Sequence, residues 1–200
     1  MSFSTVSRFE DIIADFFGAP YAVAVDCCTH GIELCLRLQN SNDVSCPKHT
    51  YPSVPFVFEK LGLHWSFRDQ EWEDYYCIGN TNIYDAAVLW KQNSYIAHTQ
   101  MCLSFQFKKH LGLGRGGMIL LDDRESYDCL KKMRYDGRVD DVPWTEQNID
   151  TVGYHYYMTP ETAQLGLDLF PSASSTTPPK WDHTCYPDLS AMPVFSDHAK

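Results

Sequence analysis

The sequence predicts an α/β layer fold, a three-layer sandwich built around a mainly parallel sheet. Apolar runs of strand length alternate with helical patterns over the first 170 residues, as they do in layered α/β chains. Runs such as YAVAV (Tyr21 to Val25) and Met118 to Leu121 are apolar at every position, as strands covered on both faces tend to be. The 200 residues, with 44% apolar and 21% charged side chains, suit one globular domain with a sizeable core.

In chain order, Ser7 followed by Glu10 matches a capping box that opens a helix bearing Phe9, Ile12, Ile13, Phe16 and Phe17. Gly18 and Pro20 end it. The strand Tyr21 to Val25 is followed by the turn Asp26-Cys27-Cys28-Thr29 and a helix carrying Ile32, Cys35 and Leu36. A strand at Val44 to Pro47, a helix at Pro55 to Leu61 and a strand at Leu63 to Phe67 come next. Asp69 to Asn82 is polar and aromatic with weak periodicity. Met101 to Phe107 and Met118 to Leu121 read as strands, Glu125 to Met133 and Thr159 to Phe170 as helices. From Pro171 the Ser/Thr/Pro-rich stretch PSASSTTPPK reads as an extended linker, neither helix nor central strand. The expected organisation is therefore one domain over 1–170 and a linker with a C-terminal arm over 171–200, the arm either packed or disordered.

The formal charge of −10 argues against a nucleic-acid or anionic-membrane partner. It leaves room for a phosphorylated ligand, which a cluster of backbone N–H groups can hold on an acidic protein. The first residues lack a basic segment followed by an apolar one, and no apolar run is long enough to span a bilayer. Most of the eight cysteines sit in apolar runs such as IELCLRL, and no paired C-x-x-C motif occurs. A reduced, cytoplasmic protein without a bound metal is expected. For His30, His49 and His110, polar surface or local hydrogen bonding is the expected use.

Four segments carry groups suited to site chemistry. The turn Asp26 to Gly31 makes either an anion site with the Thr29 hydroxyl or a simple helix cap. Asp85, at a strand's end before two alanines, is either a ligand-edge carboxylate or another cap. In SFQFKKHLGLGRGG (Ser104 to Gly117), a strand ends on Ser104 and adjacent lysines, and glycines allow close backbone approach. A lysine held beside apolar residues can lose its proton readily and act as a Schiff-base nucleophile, although a strand-end lysine is more often a solvated cation. The aromatic cluster GYHYYMT (Gly153 to Thr159) reads as core or interface.

Taken together and in order, these segments resemble the DegT/DnrJ/EryC1/StrS family of pyridoxal-phosphate sugar aminotransferases. The opening FEDIIADFFGAPYAVAVDCCT, the segment Pro47 to Tyr51, the run Tyr84-Asp85-Ala86-Ala87, the stretch Ser104 to Gly117, and GYHYYMT with Ala163, Leu165, Gly166 and Leu167 follow the family's motifs collinearly. The resemblance implies the large domain of a fold-type I pyridoxal 5′-phosphate (PLP) transferase, shortened between 69 and 85 and lacking the family's C-terminal domain. It implies that Lys109 forms the Schiff base and moves the substrate proton, with Lys108 one position off the family spacing. It implies that Asp85 pairs with the pyridine nitrogen, that Tyr51 stacks on the ring, and that Ser104, Thr29 and the Cys28 backbone hold the phosphate. His155 would reach the phosphate of a partner subunit, which implies a homodimer with shared sites. Relative to the family, Cys28 stands for Gly, Val88 for Gln or His, Arg115 for Glu, His155 for Asn and Tyr157 for Arg. The implied activity moves an amino group from an amino acid such as glutamate to a keto-sugar nucleotide. A PLP-binding protein that does not transaminate, and an interaction protein that keeps only the fold, are the alternatives.

Overall fold

Successive residues of the central strands point to opposite faces, and each face has its own core. Val23 and Val25 lie in one apolar cluster with Cys102, Ile119 and Leu121, while Ala22 and Ala24 lie in another with Met101, Leu103, Met118 and Leu120. That alternation places helices on both sides of one sheet. The computed structural model describes residues 2–198. Strands β1 (Tyr21–Val25), β7 (Gly117–Leu121), β6 (Gln100–Ser104), β5 (Ile83–Asp85) and β4 (Tyr76–Cys77) form the sheet in that spatial order. Helices α1 (Phe3–Phe17) and α5 (Pro160–Ser174) pack against each other beneath one face. Helices α2 (Cys28–Leu38), α3 (Ser53–Leu61) and α4 (Arg124–Met133) cover the other. The expected three-layer α/β sandwich is present.

The sheet is mixed rather than mainly parallel. Only β5 with β6 is a parallel pair; β1 with β7, β6 with β7 and β4 with β5 are antiparallel. The cause is the connection from β6 to β7. It is a short loop on one side of the sheet instead of a helical crossover, so β7 returns antiparallel between β6 and β1. Strands β1, β5 and β6 nevertheless run the same way, so their C-terminal ends share one edge of the sheet. Strands β2 (Asp43–Pro47) and β3 (His64–Arg68), joined through α3, form a separate parallel pair.

Two local expectations change. Helix α1 begins at Phe3 with Ser2 at its cap, so Ser7 and Glu10 do not form a capping box. Glu10 is buried, and its carboxylate accepts the Ala24 N–H at 2.8 Å and pairs with Arg134 and Lys131. Gly18 ends α1 as expected, with φ at +74° in the left-handed region. Helix α5 runs through Pro171 to Ser174, so the linker assigned from Pro171 starts later. The Ala173 carbonyl there accepts from the Trp90 indole at 3.1 Å and lies 2.9 Å from the His110 ring nitrogen, tying the last turn to the domain.

Beyond α5 the chain folds back as a packed arm. Leu189 and Phe195 are buried, with Phe195 against Trp65 and Phe67 of β3. Backbone bonds join Leu189 N–H to Lys48, Asp74 N–H to Trp181 and His183 N–H to Trp72. In the weakly periodic segment 69–82 only Tyr76 and Cys77 become a strand, and Trp72 and Asp74 are bonded to this arm. Among the described residues, no helix is long and apolar enough to cross a membrane.

Candidate active site

Because β1, β5 and β6 point the same way, the turns that follow them meet at one edge of the sheet. There they bring together Asp26 to Thr29, Asp85 to Val88, and Ser104 to Lys109. A cavity of about 220 Å³ opens at this edge, where open α/β sheets ordinarily take ligands. Cys28, Thr29, Tyr51, Asp85, Ser104 and Lys109 all line it. His155, the seventh predicted residue, does not. Its side chain is 72% exposed and pairs with Asp136 at 2.9 Å.

Lys109 stands in the loop between β6 and β7. This loop is closed by bonds from Phe105 N–H to Gly116 and from Leu113 N–H to Phe105. Gly114 takes a φ of +82°, which the loop needs in order to turn. Gly117 has a different reason to be glycine. A Cβ there would lie 2.5 Å from the backbone of Cys27 and Cys28, so only glycine lets β7 pass beneath the start of α2. The result places Lys109 partly buried and Lys108 exposed, so the adjacent lysines have different surroundings. Burial pulls the Lys109 ammonium below its usual range, with the Asp85 carboxylate opposing the shift. Its Nζ lies 5.0 Å from the centre of the Trp181 ring.

Asp85 closes β5 and is 7% exposed. Its carboxylate accepts the Tyr76 hydroxyl at 2.7 Å and the Ala87 N–H at 3.0 Å, and Tyr76 in turn bonds Thr50. Burial raises this carboxyl above the ordinary range, while the Tyr76 and Ala87 bonds hold it down. Tyr76 and Thr50 are support that sequence reasoning missed, because nothing in either segment links it to Asp85. The Cys28 thiol donates to the Cys102 carbonyl at 3.3 Å, and burial pushes it well above the usual thiol range. Cys28 is thus a protonated packing group whose contribution to the cavity is its backbone.

Helix α2 begins at that backbone. Its first internal bond runs from Gly31 N–H to Cys27, so the N–H groups of Cys28, Thr29 and His30 come ahead of the ladder. The Thr29 hydroxyl pairs with that of Ser53 at 2.7 Å, so Thr29 is not the cap of α2. A helix N-terminus flanked by Thr29, Ser53 and Ser104 is an anion cradle. Arg115 also lines the cavity, and its guanidinium meets Asp26 at 2.6 Å.

Asp26 also binds His30 at 2.7 Å, the local hydrogen bonding expected for that histidine. Asp26, Cys27 and His30 bring ligand atoms within 4.8 Å of one another. The two Asp26 oxygens are already taken, Oδ1 by His30 and Oδ2 by Arg115, so the cluster reads as an ion-pair network. Burial alone would lower the His30 pKa, but Asp26 and Cys27 outweigh it and raise it to about 9. A raised histidine stabilises the fold fully below its unfolded value of ~6.5, and that contribution fades as pH climbs through the folded value. The melting temperature should therefore fall between roughly pH 6.5 and 9. Asp26→Asn should melt lower at pH 7 and show a shallower decline; equal slopes in thermal denaturation would refute this assignment.

The geometry can be set beside known proteins. The model of the DegT/DnrJ/EryC1/StrS aminotransferase family matches residues 1–88 and 91–179. The chain belongs to that family. No curated protein matches it. Among solved structures it is similar to AtS13 from Actinomadura melliaura, with 18% identity and a TM-score of 0.71. It is also similar to the sugar aminotransferase CalS13 from Micromonospora echinospora, with 15% identity and a TM-score of 0.69. Spr1654 from Streptococcus pneumoniae, in its PLP form, gives 18% and 0.68. Each alignment covers 84% of this chain and 60% of the other, so the chain spans about three fifths of these structures' length. The likeness establishes a fold-type I architecture.

Proposed function

We propose that this protein binds PLP through Lys109 and uses it to move an amino group from an amino acid such as glutamate to a keto-sugar nucleotide. The observation that carries the reading is one cavity holding a partly buried amine, a buried carboxylate and a helix N-terminus together. The donor set fits the cofactor's chemistry: an amine with a lowered pKa for its aldehyde, a carboxylate for its ring nitrogen and N–H groups with hydroxyls for its phosphate. When bound, the cofactor supplies an electron sink for the substrate's breaking C–H bond.

The chain's own residues do the rest. Lys109 takes and returns the substrate proton, helped by a pKa that leaves more free amine near neutrality than an ordinary lysine has. Asp85, fixed by Tyr76 and Ala87, holds a cationic ring nitrogen in place. Tyr51 offers a ring face at the cavity mouth, and Thr29, Ser104 and the Cys28 N–H hold the phosphate. Family membership supports the transaminase reading, and so does a related structure, DesI, solved with its TDP-sugar product. We place the protein in the cytoplasm, consistent with all eight cysteines being free. We also propose a homodimer in which the exposed His155 reaches the partner's phosphate site.

Mixing the PLP-loaded protein with glutamate should convert the cofactor to its aminated form, seen as loss of the visible band. A keto-sugar nucleotide should then restore that band. A bound cofactor that glutamate leaves unchanged would sink the transaminase reading and leave a PLP-binding protein.

A further inference from the structure

The C-terminal arm does more than cover apolar surface, because it also builds part of the cavity. Tyr186 lines the cavity together with Cys27, Cys28 and Thr29, and the Lys109 ammonium lies against the Trp181 ring. Their backbone is fixed at several points. The Tyr186 carbonyl lies 2.9 Å from the His49 ring nitrogen, the Tyr186 N–H reaches the His183 carbonyl, and Leu189 is pinned to Lys48. The Tyr186 ring lies 5.5 Å from that of Trp72 and 6.1 Å from that of Trp181. An aromatic wall made by residues far apart in sequence thus faces the ligand side of the pocket.

The hydroxyls of this pocket differ in how committed they are. Thr29 is bonded to Ser53, and Tyr76 to both Thr50 and Asp85. The Tyr186 hydroxyl makes no hydrogen bond within the described residues, although its ring packs against those of Trp72 and Trp181. Burial and the nearby Asp85 charge push the phenol above its usual range, so it stays protonated and can donate. Nearby, Val88 lines the cavity with an apolar side chain that offers no donor. A held, unpartnered phenol beside an apolar wall is a group waiting for an acceptor.

We infer that Tyr186 is a ligand-binding residue, which would donate its phenolic proton to an oxygen of a phosphorylated pyridoxal in the cavity that it lines with Asp85 and Lys109. The inference rests on the PLP reading above. It gives the arm a role in the site: residues 176–195 carry a recognition group as well as burying Leu189 and Phe195.

The test is titration of the apoprotein with pyridoxal 5′-phosphate, followed by the visible band, in wild type and Tyr186→Phe. Phenylalanine keeps the ring against Trp72 and Trp181 and removes only the hydroxyl. The variant should bind about tenfold more weakly, the size expected for losing one hydrogen bond to a polar ligand, while the apoprotein melts at the wild-type temperature. Equal affinity in both proteins would overturn the inference and leave the PLP reading standing. Weaker binding matched by a lowered apoprotein melting temperature would also overturn it, since Tyr186 would then be structural. Failure of wild type to develop the band would overturn both.

Discussion

Lys109→Ala should fold normally and form no covalent adduct with PLP. Wild type should show a visible band and retain the cofactor after borohydride reduction and denaturation; the variant should show neither. Any transfer activity should fall by at least about 10²–10⁴-fold, the scale of losing a positioned proton-transfer group together with the nucleophile. Lys108→Ala serves as the internal control. Lys108 is exposed and faces the Phe107 ring, so its loss should leave band and affinity as in wild type. Lys109→Arg separates charge from nucleophilicity, because it keeps the cation and cannot condense with an aldehyde. The pH dependence has a definite sign. Burial lowers the Lys109 pKa, so adduct formation should rise with pH at lower values than for a solvated lysine. A band that persists in the alanine variant, or disappears in Lys108→Ala, would reassign the nucleophile.

That adjacent lysines can be told apart shows which parts of this protein were legible in its residues. Apolar runs and glycine stops located β1, α1 and β7, because burial and backbone freedom leave local marks. The ordered motifs pointed to Asp85, Ser104 and Lys109, which the shared strand direction brings to one cavity. What escaped was relational. The direction of β7 is set by the short return after Lys109, and no residue of GMILL records it. Glu10 matched a local capping pattern, yet it serves Ala24 and Arg134 because α1 packs beside β1 and Arg134 reaches the same strand at Ala24. Tyr76 and Tyr186 gave no signal because their partners, Asp85 and His49, lie nine and 137 residues away. Weak periodicity over 69–82 was itself a clue, since a segment stabilised by a distant arm has no need of a regular pattern.

Asp85→Asn should be the most informative single change after Lys109. Asparagine keeps the size; its one amide oxygen can still accept from Ala87 N–H, and its NH2 can donate to the Tyr76 hydroxyl, which then turns its proton to Thr50, so the apoprotein should fold. What it lacks is the charge that holds a cationic ring nitrogen in a site only 7% exposed. Breaking a buried ion pair costs about 3–5 kcal/mol, so transfer should drop roughly 10²–10⁴-fold on the scale of ~1.4 kcal/mol per decade. Cofactor binding by the apoprotein should also weaken in acid at a pH above the ordinary carboxylate range, because burial raises the Asp85 pKa there and the protonated acid cannot pair with the ring charge. Asp85→Asn should lose that acid limb altogether. A cofactor methylated on the ring nitrogen carries its positive charge permanently. If Asp85 acts by maintaining that charge, the methylated cofactor should narrow the gap between Asp85→Asn and wild type. If Asp85 is needed only to shape the pocket, the methyl group should lower the activity of both proteins and recover nothing in the variant.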